Sequence, residues 1–405
     1  MGPMRTAARV SSQALRNPFF PFASSLPARA TAAACEMFAN ATKRYGKPEF
    51  GLPETTTDGE TVPIVEEVML ERPFGDLLRF RRDSAKVEAR NDPKVLLAAP
   101  MSGHYATLLR GTVQAMIPEH DVYITDWKDA RDIPMSEGEL DLSDYIDYLI
   151  EFLRFLAADG ERAALMAVCQ PGVPCLCAAS LMAENNDPAR PSALIVMGSP
   201  IDTRISETEP NRLAKSRPIE WFEQNVIVTV PWPNQGFMRR VYPGFLQLSG
   251  FMAMNADRHV DAHMEHFQHL VAGDGDSAAA HRKFYDEYLA VMDLTAEFYL
   301  QTVKKVFQDY ALAKGAFMHR DHLVKPEEIR DIALFAIEGE ADDITGLGQS
   351  KAALDLCCNL PDDKKQYFMQ PKVGHYGIFN GSHWRNNIQP RVRDFVRAHR
   401  ASVAD

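Results

Sequence analysis

Three residues of this chain combine nucleophile, acid and base chemistry, and each follows a segment that reads as a strand. In "AALMAVCQPGVPCLCAASLM" (163–182) an apolar run stops at Cys169, a Gln-Pro-Gly corner follows, and a small-residue apolar segment takes over. A free thiol is mostly protonated at neutral pH, so a catalytic one needs a neighbouring imidazole to make or stabilise the thiolate. "KVGHYGIFNGSHW" supplies His375 for that task. "EGEADDITGLGQ" supplies Asp342, which would hold the His375 tautomer and stabilise the imidazolium. The implied chemistry is attack of sulfur on a carbonyl carbon, and the helix starting near Val173 adds the positive end of its dipole beneath the sulfur. The oxyanion would be met by the backbone N–H of Gln170 and by one from "APMSGHYATLL", that of Met101 or Ser102.

Other reactive side chains read differently. Cys175 and Cys177 lie inside the apolar segment and read as inert core. Asp343, the nearest rival to Asp342, suits a capping or solvated role, and His383 reads as a surface or supporting histidine. "HVDAHMEHFQH" spaces His259, His263, His266 and His269 along one helix face, but without a HExxH pattern it reads as a polar face, and no metal is expected. "TGLGQS" does not lead a strand into a phosphate-binding turn, so no dinucleotide or other cofactor is expected.

These residues need a sheet to bring them together. The order, helix alternating with strand, predicts a mainly parallel α/β sheet. Strands are expected at 61–70, 77–82, 94–100, 121–127, 163–169, 193–200, 332–340 and 366–371, the first two as an antiparallel edge. Helix-period segments fall at 104–117, 143–158, 173–184, 350–359 and 388–400, with a short helix at 30–45 and loop over 46–60. Nucleophile, acid and base then appear in the chain order of the α/β-hydrolase plan, each at the C-terminal end of a strand. About 130 residues between Pro200 and Ile332 lack the alternation. They hold Trp/Pro-rich loops and a long helical part over 281–315, and read as an inserted, mostly helical cap. The expected division is an N-terminal arm and short helix over 1–55, a core over 56–202, the cap over 203–328, and the rest of the core over 329–405.

Composition narrows the function further. The 405 residues carry a formal net charge of −11, which argues against nucleic acid. No run of ~18 apolar residues appears, so no membrane span is expected. Six cysteines without zinc-like spacing fit a reduced cytosol. The first 34 residues carry arginines and no acid, as a transit peptide would, but "NPFFPFASSLP" interrupts them, which favours a surface-binding arm.

"AVCQPGVP", "EGEADDITG", "HYGIFNGSHWRNNIQPRVRDF", "FYDEYLAVMDLTAEFYLQTV" and "YGKPEFGL" together resemble the intracellular poly(3-hydroxybutyrate) depolymerases over most of the chain from about Arg29. That family is similar to α/β-hydrolases and polyhydroxyalkanoate synthases and uses a Cys-Asp-His triad. Motif by motif, the resemblance carries the nucleophile onto Cys169, the acid onto Asp342 and the base onto His375. The usual Gly-x-nucleophile-x-Gly elbow is here Ala167-Val168-Cys169-Gln170-Pro171, with both glycines missing. The implied reaction is hydrolysis of amorphous storage polyester to 3-hydroxybutyrate or short oligomers, in the cytoplasm at the granule surface, with a homodimer as one possible assembly. "PWPNQGFMRRVYPGFLQLSGFMAM" (231–254), with Trp232, Phe237 and Phe245, is the candidate apolar contact for the polymer, against ordinary cap core. Two rival readings remain at this point: acyl transfer to coenzyme A or synthase-like transfer, and an inactive granule-binding protein.

Overall fold

The apolar runs expected to be strands form the middle of a nine-stranded sheet. Its strands are β1 (Glu54–Thr57), β2 (Glu60–Leu70), β3 (Gly75–Arg82), β4 (Lys94–Ala98), β5 (Asp121–Trp127), β6 (Ala164–Val168), β7 (Ala193–Met197), β8 (Ala333–Gly339) and β9 (Lys365–Gln370). Their order is β1-β2-β3-β5-β4-β6-β7-β8-β9. β5, β4, β6, β7, β8 and β9 run parallel, and β6, β7 and β8 are buried along their whole length. Strands covered on both faces read as continuous apolar runs rather than alternating ones, which is why they stand out in the sequence.

β1, β2 and β3 extend the sheet antiparallel at one edge. β1 is an addition to the expected set, since 46–60 reads as loop. Its residues are Glu and Thr and mostly solvent-facing, so burial leaves no mark on the sequence. The signal was the turn: Asp58 and Gly59 both take positive φ, 52° and 79°, as a two-residue hairpin requires.

The computed structural model describes residues 2–15, 46–247 and 289–404, with isolated residues 17, 25, 28, 31, 32 and 35. Residues 49–244 and 292–405 make one compact unit, and residues 1–48 and 245–291 another. In the second unit Gly2–Leu15 is helical, and Ser12 Oγ donates to the Ala32 carbonyl at 3.0 Å. Residues 31, 32 and 35 are helical within the expected 30–45 helix, while the rest of that helix and the histidine stripe at 259–269 lie outside the described residues.

Within the larger unit the helices beside the sheet are α1 (Arg110–Met116), α2 (Leu142–Leu156), α3 (Gly172–Glu184), α4 (Ala352–Leu356) and α5 (Gln389–Ala398). α2 packs on α3, and α1 on α5. α2 starts where it does because Asp141 accepts from the N–H groups of Ser143 and Asp144, while Asp144 accepts from Asp141 N–H. Its buried Tyr145, Ile146, Leu149, Phe152, Leu153 and Leu156 recur at helical spacing.

The long helical part expected over 281–315 is broken. Residues 281–288 lie outside the described residues; after them Leu294 and Thr295 pair with Tyr242 and Val241 in a small antiparallel sheet, and a helix begins at Ala296. The cause is tertiary. The Asp293 carboxylate accepts from Arg131 Nε at 2.7 Å and from Gly244 N–H at 3.1 Å, which holds the chain extended there. Ala296–Thr302 then buries its apolar face against Ala214, Trp221 and Phe222, with Tyr299 stacked on Tyr242 at 3.8 Å.

Candidate active site

Because β4 to β9 run parallel, the loops that follow β4, β6, β7, β8 and β9 open at one edge of the sheet. The chain order β4, β5, β6 against the spatial order β5-β4-β6 puts the topological switch between β4 and β6, the place where such sheets bind ligands. Cys169 stands there, immediately after β6. Its φ is +67°, left-handed for a residue with a Cβ, and its N–H donates to Met197 O at 2.8 Å. A non-glycine held in that region costs on the order of 1–2 kcal/mol, and such strain concentrates at functional turns.

The glycine that this elbow needs lies one position later than in the usual pattern. A Cβ on Gly172, the first residue of α3, would sit 2.3 Å from Ser199 Cβ and 2.5 Å from its Oγ, so only glycine lets the helix start pass the end of β7. Ala167, by contrast, is an ordinary buried strand residue paired with Ala98 and Val196. Pro171 fits with φ −69°, preceding the helix as proline can.

His375 opens the short helix His375–Phe379 after β9 and is 4% exposed. Its Nδ1 lies 2.8 Å from Asp342 Oδ2, and the Cys169 thiol is close enough to contribute to its pKa. The Asp342 side chain, 1% exposed, has its other oxygen fixed by the N–H groups of Ile344 at 2.9 Å and Thr345 at 2.8 Å. Burial opposes charging His375, but the negative charges of Cys169 and Asp342 and their hydrogen bonds outweigh it, so its pKa is raised well above the ordinary imidazole value. The sequence thus places all three expected triad residues in one connected group. An imidazole so tuned can keep a thiolate company at neutral pH and later hand a proton to a leaving group.

Several supporting residues were not found by sequence reasoning. Gly198, φ +53°, leaves room for the ring: a Cβ there would meet His375 Cε1 at 3.1 Å. Thr345 Oγ1 donates to Gly198 O at 2.9 Å, tying the Asp342 loop to the end of β7. Glu338, 2% exposed in β8, accepts from the N–H groups of Gly348, Ser350 and Lys351 and from Tyr367 OH, and so holds the far end of that loop. A glutamate inside an otherwise apolar strand was the available signal.

At the expected oxyanion loop, Met101 is 2% exposed and its N–H donates to Gln170 Oε1 at 3.1 Å, while Ser102 is half-buried. Trp232, 78% exposed, and Phe237, 47% exposed, stand on the hairpin between Val228–Thr229 and Arg240–Tyr242. That hairpin rests on the loop after β5, with Gly236 N–H donating to Arg131 O at 2.8 Å. Phe245 is exposed and belongs to the second compact unit. Cys175 and Cys177 are buried in α3, where burial raises both thiols, as inert core thiols would be. Asp343 and His383 are exposed.

The model of the family described as "PHB de-polymerase C-terminus" matches residues 198–400, half of the chain. The chain belongs to this family. The matched part carries Asp342 and His375 and begins after Cys169. No curated protein matches the chain. Among solved structures, a soluble variant of monoglyceride lipase from Saccharomyces cerevisiae, in complex with a substrate analog, aligns with a TM-score of 0.51 and 14% identity, over 83% of this chain and 96% of that one. Monoacylglycerol lipase from Paleococcus ferrophilus aligns at 0.43 and 13%, over 76% and 96%, and a thermophilic esterase from Thermogutta terrifontis at 0.40 and 13%, over 85% and 96%. The first of these likenesses shows the fold, which in this family member is that of the α/β-hydrolases. Among the described residues no helix is long and apolar enough to cross a membrane.

Proposed function

We propose that the chain is an ester hydrolase that cleaves poly(3-hydroxybutyrate) through a Cys169–His375–Asp342 triad. The observation that carries this reading is the group itself: a thiol on a strained elbow, next to a buried imidazole whose pKa it helps to raise and whose Nδ1 is 2.8 Å from a buried carboxylate. The family to which the chain belongs names the polymer. Attack of the Cys169 thiolate on an ester carbonyl forms the S–C bond and moves the carbonyl electron pair onto oxygen. Collapse of that oxyanion breaks the C–O bond, and the alkoxide leaves with the proton from His375 Nε2. His375 then takes a proton from water, hydroxide adds to the thioester, and the thiolate departs. The balance is one ester and one water in, one acid and one alcohol out.

A polymer chain reaches this site from an apolar surface, and Trp232 and Phe237 are the side chains proposed to meet it. The setting is the surface of a storage granule in the cytoplasm. The test is release of 3-hydroxybutyrate from amorphous polymer granules by the wild type and by Cys169→Ala, with folding and granule binding checked in parallel. The variant is expected to lose roughly a thousandfold or more, as loss of a triad nucleophile does. Equal release by both would end the proposal. Release only after coenzyme A is added, as a hydroxyacyl thioester, would replace hydrolysis by thiolysis.

A further inference from the structure

Two backbone N–H groups of the loop after β4, those of Met101 and Ser102, could complete an oxyanion hole, and one hydrogen bond separates them. The Met101 N–H already donates to Gln170 Oε1 at 3.1 Å. Met101 is 2% exposed. The loop is held on both sides of Ser102. Before it, Ala99 N–H donates to Thr125 Oγ1 at 2.9 Å; after it, Gly103, with φ +99°, turns the chain so that its carbonyl accepts from Met292 N–H at 2.7 Å. Among the described residues, neither the Ser102 N–H nor the Gln170 N–H has an acceptor.

We propose that the Gln170 carboxamide is a positioning residue: its oxygen clamps Met101 so that the Ser102 N–H and the Gln170 backbone N–H together form the oxyanion hole. The proposal rests on Cys169 being the nucleophile. Its logic is that of preorganisation. A donor helps only if it is already aimed at the place where negative charge develops, and losing one costs about a hundredfold to a thousandfold in kcat. Gln170 follows the nucleophile directly, so one residue supplies a donor from its backbone and fixes the second donor through its side chain. The clamp joins the two loops that border the switch between β4 and β6, and it sets their spacing without touching substrate.

Gln170→Met keeps the length of the side chain and removes the acceptor. Two readouts are compared: hydrolysis of p-nitrophenyl butyrate, which builds an oxyanion, and alkylation of Cys169 by iodoacetamide, which forms an S–C bond, expels iodide and builds none. The variant is expected to lose about tenfold to a hundredfold in kcat, between an aimed and an absent donor. Its KM and alkylation rate should stay within about twofold of wild type. Unchanged kcat, or alkylation falling together with kcat, would overturn the proposal. If Gln170→Met does not fold, Gln170→Glu carries the test. It keeps an acceptor for the Met101 N–H, so at pH values where the introduced carboxyl is neutral its kcat should come back to within about threefold of wild type at the same pH; a loss of about tenfold or more there would overturn the clamp. Failure of the underlying reading looks different, because Cys169→Ala would then hydrolyse as fast as the wild type.

Discussion

Replacing Gly172 with alanine tests whether the elbow is built as described. The added Cβ would lie 2.3 Å from Ser199 Cβ, 2.5 Å from Ser199 Oγ and 3.3 Å from Ile201 Cδ1. Ordinary carbon–carbon contact is about 3.5–4.0 Å, so the start of α3 and the end of β7 would have to part by about 1.2 Å. Ser199 cannot simply yield. It is fully buried, its N–H donates to Ser350 Oγ at 2.7 Å, and its carbonyl accepts from the same hydroxyl at 3.1 Å. Overpacking a rigid site costs about 1–3 kcal/mol, and this overlap belongs at the upper end. Gly172→Ala is therefore expected to lose about 3 kcal/mol in urea unfolding and, because the elbow shifts, to slow alkylation of Cys169 by iodoacetamide. Ser199→Gly removes the two closest atoms while leaving the backbone bond to Ser350. In the double variant it should restore about 1–2 kcal/mol, an interaction of the size expected for neighbouring residues in a double-mutant cycle. Gly172→Ala within about 0.5 kcal/mol of wild type, or a double variant no better than the sum of the singles, would refute this account of the elbow.

Asp342→Asn removes one of the charges that raise the His375 pKa, so the alkaline limb of ester hydrolysis should move to lower pH while kcat falls about a hundredfold to ten-thousandfold; a limb that stays in place would contradict the pairing. His120 is buried with its Nδ1 3.2 Å from Met116 O, and burial lowers its pKa to about 4. The folded protein then binds this proton less readily than the unfolded chain does, so the stability contribution is full above pH 6.5 and is lost as pH falls towards 4. The loss amounts to about 3 kcal/mol, and urea unfolding of His120→Phe should show a correspondingly flatter fall between pH 7 and 4. Trp232→Ala combined with Phe237→Ala should weaken adsorption to amorphous polymer granules while leaving stability within about 0.5 kcal/mol and hydrolysis of a small soluble ester unchanged; unchanged adsorption would remove these side chains from the contact.

The parallel strands and the order of the triad were legible because both follow from one local signal, an apolar run that ends in a polar or glycine-rich turn. Cys169, Asp342 and His375 each end such a run, and parallel pairing brings their loops to the same edge. β1 was missed because an exposed Thr-rich strand carries no burial pattern, although its Asp58-Gly59 turn did. The break at Leu294 was hidden for another reason: local helix preference there is overruled by pairing with Val241 and Tyr242, residues some fifty positions away in the chain. The shifted glycine of the elbow depends on how closely Ser199 approaches Gly172, and the Gln170 clamp on where Met101 comes to rest. No spacing in the sequence encodes either distance.

The most direct measurement is to capture the covalent intermediate. The protein is mixed with a short 3-hydroxybutyrate oligomer, quenched in acid within the first turnovers, digested and mapped by mass spectrometry. The account predicts a 3-hydroxybutyryl or oligomeric acyl group on the peptide that contains Cys169, released by neutral hydroxylamine as a thioester is, and absent from Cys169→Ala. Product formed at full rate with no acyl group on Cys169, or with the group on another residue, would contradict it.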